Sequence, residues 1–155
     1  MRPSLLCLTF ILVCFPGCAG TSDPRSQDIA GLIERLQTGD DAARAEAAEA
    51  LGNFGPAGQE AVPALALSLR DEYEAVRRAA AASLAAIGAD KRVLDDLTTA
   101  LKDTDPEVRQ GAAQALATAG PAAQSAVSAL TALLHDGDEE VRQAAADALS
   151  KIGRR

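Results

Sequence analysis

Four arginines set the register of this chain: Arg44, Arg77, Arg109 and Arg142 stand 33, 32 and 33 residues apart. Seven residues after them come Leu51, Leu84, Leu116 and Leu149, and eleven after them Gly55, Gly88, Gly120 and Gly153. A fixed period in this range marks a stacked repeat array, in which each unit buries its apolar face only against its neighbours. Any fold for the chain must satisfy the same pattern four times.

Each unit reads as two helices. Fifteen, twelve and eight residues before the arginines lie Ile29, Leu32, Leu36; Val62, Leu65, Leu69; Leu94, Leu97, Leu101; and Val127, Leu130, Leu134, all apolar. That i, i+3, i+7 stripe predicts a first helix of about ten residues with one buried face. The positions around each arginine, such as Val76, Ala80, Leu84 and Ile87, form a second stripe and a second helix. Asp40, Asp105 and Asp138 stand where a side chain caps the second helix, and Pro106 takes its first position. Tyr73 stands in the capping place of the second unit, which predicts a weaker helix start there. Gly55, Gly88, Gly120 and Gly153 are expected to end the second helices in the left-handed conformation, with Pro56 and Pro121 blocking continuation. Small residues at Ala48, Ala81, Ala113 and Ala146, and at Ala79, Gly111 and Ala144, allow close helix approach. The expected fold is all-α: an α-solenoid of about four helical hairpins, over about residues 28–60, 61–92, 93–125 and 126–153.

The recurring pattern Asp-x-Asp-x-x-Val-Arg-x-x-Ala-x-x-x-Leu-x-x-x-Gly, carried by Asp103 to Gly120 and Asp136 to Gly153, resembles the HEAT-repeat superfamily. Its nearest form is the short bacterial HEAT-like type associated with phycobilisome lyases. Asp71 to Gly88 follows the pattern with Tyr73 at the second aspartate, and the first unit departs with Thr38 and Ala43. The resemblance implies that Arg44, Arg77, Arg109 and Arg142 form a structural ladder with Asp71, Asp103 and Asp136, joining turns and adjacent repeats. A charged site for an anion or metal is the competing reading of those columns. The same scaffold serves many functions, so the repeat itself argues for a fold and not for an activity.

The first eighteen residues read as an export signal: Arg2, then an apolar run from Leu5 to Phe15 broken only by Thr9, then Gly17 and Cys18, with the small residues Ala19 and Gly20 following. The run is about half of the roughly 20 residues a spanning helix needs. Phe15-Pro16-Gly17-Cys18 resembles the lipobox of bacterial lipoproteins at Gly17 and Cys18 and departs from it at Phe15 and Pro16. The resemblance implies that Cys18 is lipidated as the first mature residue, and that the chain sits in the outer membrane facing the periplasm. Cleavage by the general signal peptidase, giving a soluble periplasmic or secreted protein, is the alternative. Cys7 and Cys14 fall within the signal, so no disulfide forms in the mature chain. Residues 19–27 read as a flexible tether.

Chemistry beyond binding finds few residues to act with. The chain has 22 acidic and 15 basic residues, a net charge of −7, and no basic stripe, so nucleic acid is not expected as a partner. His135 is the single histidine and reads as a solvated residue at the end of a helix, too little for a multi-histidine metal site. It also lacks the His-Glu pairs with which deoxyhypusine hydroxylase, a HEAT-like enzyme, holds iron. No nucleophile and base pair up, no phosphate loop occurs, and no cofactor or metal is expected. The expected function is non-catalytic: a scaffold or adaptor for another protein in the bacterial cell envelope, touching the membrane only through a lipid anchor. An enzyme or enzyme accessory of the lyase or hydroxylase group, or a structural envelope spacer, are the alternatives. Positions one and five after each arginine point away from the apolar stripe, which makes Arg78, Gln110, Gln114, Gln143 and Asp147, together with Tyr73, the candidate partner-binding residues. Self-association through an uncapped fourth repeat is a further expectation.

Overall fold

The computed structural model describes residues 24–153. The expected signal segment, Cys18 and the tether up to residue 23 lie outside the described residues. Four hairpins follow one another: α1 (Pro24–Thr38) with α2 (Asp41–Gly52), α3 (Val62–Ser68) with α4 (Glu74–Ile87), α5 (Leu94–Ala100) with α6 (Pro106–Ala119), and α7 (Val127–Leu133) with α8 (Glu139–Ile152). The chain is an all-α solenoid.

Local chemistry explains most of the boundaries. Asp40 accepts from the Ala43 N–H, Asp105 from the Glu107 N–H, and Asp138 from the Glu140 and Val141 N–H groups, satisfying donors that a helix start leaves unpaired. Tyr73 makes no such bond at the start of α4. Three details differ from expectation. α1 begins at Pro24, so residues 24–27 are helical; proline is tolerated in a first turn, where its missing N–H has no partner to lose. The first helices α3, α5 and α7 are seven residues each, shorter than about ten, and short 3-10 helices at Gly55–Ala61 and Gly120–Ala126 lead into α3 and α7. Pro56 and Pro121 therefore open a new turn as well as closing an old one. Gly88 and Gly120 follow α4 and α6 directly with positive φ of 95° and 55°. Gly55, at 53°, lies three residues beyond the end of α2, which closes at Gly52 on a right-handed Asn53. Gly153 stays right-handed at −77°, its N–H on the Leu149 carbonyl as in a continuing helix.

The core is one continuous stack. Leu51, Leu84 and Leu116 are fully buried, as are Val76, Val108 and Val141 and the alanine column Ala47, Ala80, Ala112 and Ala145. Second helices pack on one another along the array, α2 on α4, α4 on α6 and α6 on α8, while the first helices scarcely touch. Close packing in one layer and loose packing in the other curves the array, with the second helices on its inner side. Gly111 marks a close approach of α4 and α6: a Cβ there would stand 2.8 Å from the Ala81 Cβ, nearer than two carbons tolerate. Each repeat is covered by the one after it. Hence Leu36, Leu69 and Leu101 are 3%, 4% and 2% exposed, while Leu134 in the same column is 37% exposed.

Candidate functional site

The repeated arginines are held at both ends. Each guanidinium turns back on its own repeat, with Nη1 donating to turn carbonyls: Arg44 to Gly39 (3.1 Å), Arg77 to Asp71 (3.0 Å), Arg109 to Asp103 (2.9 Å) and Arg142 to Asp136 (2.8 Å). Its other two nitrogens reach forward. Nε and Nη2 grip both carboxylate oxygens of the next repeat's aspartate, Arg44 on Asp71 (2.9 and 2.9 Å), Arg77 on Asp103 (2.8 and 3.2 Å), Arg109 on Asp136 (2.9 and 2.7 Å). Two parallel charge-assisted bonds fix orientation as well as distance, which is why arginine and not lysine suits the position. Each aspartate also accepts the N–H two residues on, from Tyr73, Asp105 or Asp138, so one side chain closes its own turn and receives the previous repeat. Arg142 has no forward aspartate among the described residues.

These bonds make folding sensitive to acid. The Arg109 fork, opposed by burial, holds Asp136 below the ordinary carboxylate value. Burial pushes Asp71 and Asp103 upward, but the arginine fork, the turn N–H and the neighbouring guanidinium charges outweigh it, and both end lowered. A carboxylate lowered in the fold stabilises it above its unfolded value of about 4, and that stabilisation disappears as pH falls through the folded values. The urea midpoint is expected to hold steady between about pH 5 and 7 and to drop below about pH 4, with a shallower drop in Asp103→Asn. A midpoint that rose in acid would contradict the ladder.

With those columns committed to the stack, the inner face is left to residues that differ between repeats. A groove of about 500 Å³ runs between α4, α6 and α8, walled by Gln110, Gln114, Gln143 and Asp147 over a floor that includes Ala82, Ala117 and Ala144. It continues toward the helix N-termini through a space of about 370 Å³ beside Arg78, Glu107 and Glu140, and across α2 and α4 through one of about 450 Å³ beside Glu46 and Glu49. Five of the six candidate residues thus share one face. Tyr73 does not: it sits at the turn before α4, 45% exposed, with the Arg44 guanidinium carbon 5.5 Å from its ring centre. Arg78 lines the groove but is no free anchor, because it bonds Asp105 (3.1 Å) and pairs with Glu107 (2.7 Å) and Glu74.

Sequence reasoning missed Glu107, Glu140, Thr118 and Lys151, which line the same groove. They stand two before and nine after the arginines, on the stripe that already holds the positions five after. Extending that stripe by one turn each way would have found them. His135 is exposed at the end of α7, and among the described residues no three His, Cys, Asp or Glu side chains gather as a metal site. No helix among them is long and apolar enough to cross a membrane.

A family model for HEAT repeats matches residues 29–117 and 94–155. Among solved structures, an engineered protein is 29% identical with a TM-score of 0.69, covering 81% of this chain and 62% of its own. The chain thus spans less than two thirds of that relative's length. The complex of CpcE and CpcF of phycocyanin lyase from Nostoc sp. is similar at 30% identity and a TM-score of 0.61, covering 82% of this chain and 79% of the other. Human deoxyhypusine hydroxylase in complex with glycerol is similar at 28% and 0.62, with 80% of this chain and 43% of the enzyme covered. No curated protein matches the chain.

Proposed function

The chain belongs to the HEAT-repeat family, and on that premise we propose that it is a non-catalytic scaffold or adaptor that binds another protein in a bacterial cell envelope. One observation carries the reading. The side chains common to the repeats, the arginine fork and its aspartate, are bonded to each other, whereas the side chains that vary between repeats line the inner groove. A groove formed by variable residues on a rigid curved frame is how solenoids select partners. Cross-linking of intact envelopes followed by mass spectrometry is expected to return a reproducible partner joined to residues of α4, α6 or α8; no reproducible interactor would favour a structural spacer.

Likeness to a lyase complex and to a hydroxylase supports one competing reading, an enzyme or enzyme accessory of that group. Stoichiometric iron in the purified protein would turn the decision toward it. Self-association through the fourth repeat is the other competitor, since Leu134 is exposed there. A second copy's first repeat, however, would meet Arg142 with Thr38 where the other repeats supply an aspartate.

The reading includes export through residues 1–18 and lipidation of Cys18, with the protein facing the periplasm from the outer membrane, or free in the periplasm or secreted if cleavage occurs without lipidation. A palmitate analogue is expected to label the wild type and to leave Cys18→Ser unlabelled. Equal labelling of both would contradict the anchor.

A further inference from the structure

The charge of the inner groove names the kind of partner it fits. We propose that the groove takes an extended, lysine- and arginine-bearing segment of the partner polypeptide, an inference that rests on the binding reading above. Six carboxylates line its connected spaces, Glu46, Glu49, Glu107, Asp138, Glu140 and Asp147, against two cations, Arg78 and Lys151. That is a steeper imbalance than the 22 to 15 of the whole chain. Arg78 is already surrounded by Asp105, Glu107 and Glu74, and Glu46 pairs with Arg35, which leaves Glu49, Asp138, Glu140 and Asp147 against Lys151. A concave wall of one sign focuses the field and draws in segments of the opposite sign, and it repels phosphates and acidic chains.

The shape selects an extended backbone over an amphipathic helix. A helix lying in a groove needs large apolar sockets. The exposed large apolar side chains among the described residues, Leu67, Tyr73 and Leu134, all lie outside this groove. Its floor, with Ala82, Gly111 and Ala144, presents a methyl or less, so a main chain can lie close. Gln110 and Gln143, one repeat apart, each carry an amide that donates and accepts as a peptide group does, which suits pairing with an extended backbone.

The test uses the full chain and a fluorescent octapeptide alternating lysine and serine, with an all-serine-glycine peptide and a glutamate-serine peptide as controls, read by anisotropy. The basic peptide is expected to bind and the controls not to. Gln114→Lys and Asp147→Lys should each weaken it at least about tenfold, while Thr131→Lys on exposed α7, the same single-charge change as Gln114→Lys, leaves it within about twofold. Equal weakening by all three, binding of the neutral peptide, or no binding of the basic one would overturn the proposal. A photoreactive residue at Gln114 in intact cells separates the two readings. Capture of another protein through a lysine- or arginine-rich segment supports both, capture of one through a segment of another composition overturns only the basic occupant, and capture of a second copy overturns both. Capture of nothing overturns both.

Discussion

Leu116→Ala is expected to lower the unfolding free energy by about 3 kcal/mol, within the range for emptying a buried leucine site. Leu116 is fully buried in α6, between the second helices of the repeats on either side. The core around it is close-packed, so the space left behind closes only in part. Solenoid stability is close to a sum of repeat and neighbour terms, and a weakened third repeat also loosens its joins to the second and fourth. Urea unfolding followed by circular dichroism should show a lower midpoint and a broader transition. The same change at Leu149, half-buried in the same column, is expected to cost about 1 kcal/mol. Equal losses at the two sites would mean that stacking, which alone distinguishes them, does not stabilise the core.

The second large effect belongs to the ladder. Asp103→Ala removes both forward bonds of Arg77 and the acceptor for the Asp105 N–H. The Arg77 and Asp103 side chains are 14% and 12% exposed, so the guanidinium left behind loses its counter-charge where water reaches it poorly. A loss of about 2–3 kcal/mol follows, from broken bonds to a charged group rather than from net attraction. The surface bridge between Arg70 and Asp96, with the arginine 64% exposed, is the comparison, and Asp96→Ala should cost under about 0.5 kcal/mol. A double-mutant cycle on Arg77 and Asp103 should show coupling of about 1–3 kcal/mol. Coupling near zero would leave the repeated arginines without a structural role.

Periodicity made the fold legible because each helix needs the same buried stripe, and the stripe recurs at one spacing. The positions of Leu84, Leu116 and the capping aspartates all follow from that. What escaped was set by contacts between repeats, which a single unit does not reveal. The 3-10 turns after Gly55 and Gly120 shorten the first helices, and the right-handed Gly153 shows that a shared residue type does not force a shared conformation. On the inner face, the residues one and five after each arginine were legible from helical geometry. The neutralised state of Arg78 was not, since its partners Asp105 and Glu107 come from the next repeat. Tyr73 looked like an anchor by residue type alone, and its turn places it beside Arg44 instead.

The division of labour between shared and varying residues is tested most directly by site-specific capture in intact cells. A photoreactive residue is placed at Gln114 on the inner face of α6 and, separately, at Thr131 on the exposed side of α7. Capture of one reproducible protein from Gln114 and not from Thr131 is the expected result. Capture from Thr131 alone, or equally from both, would contradict it.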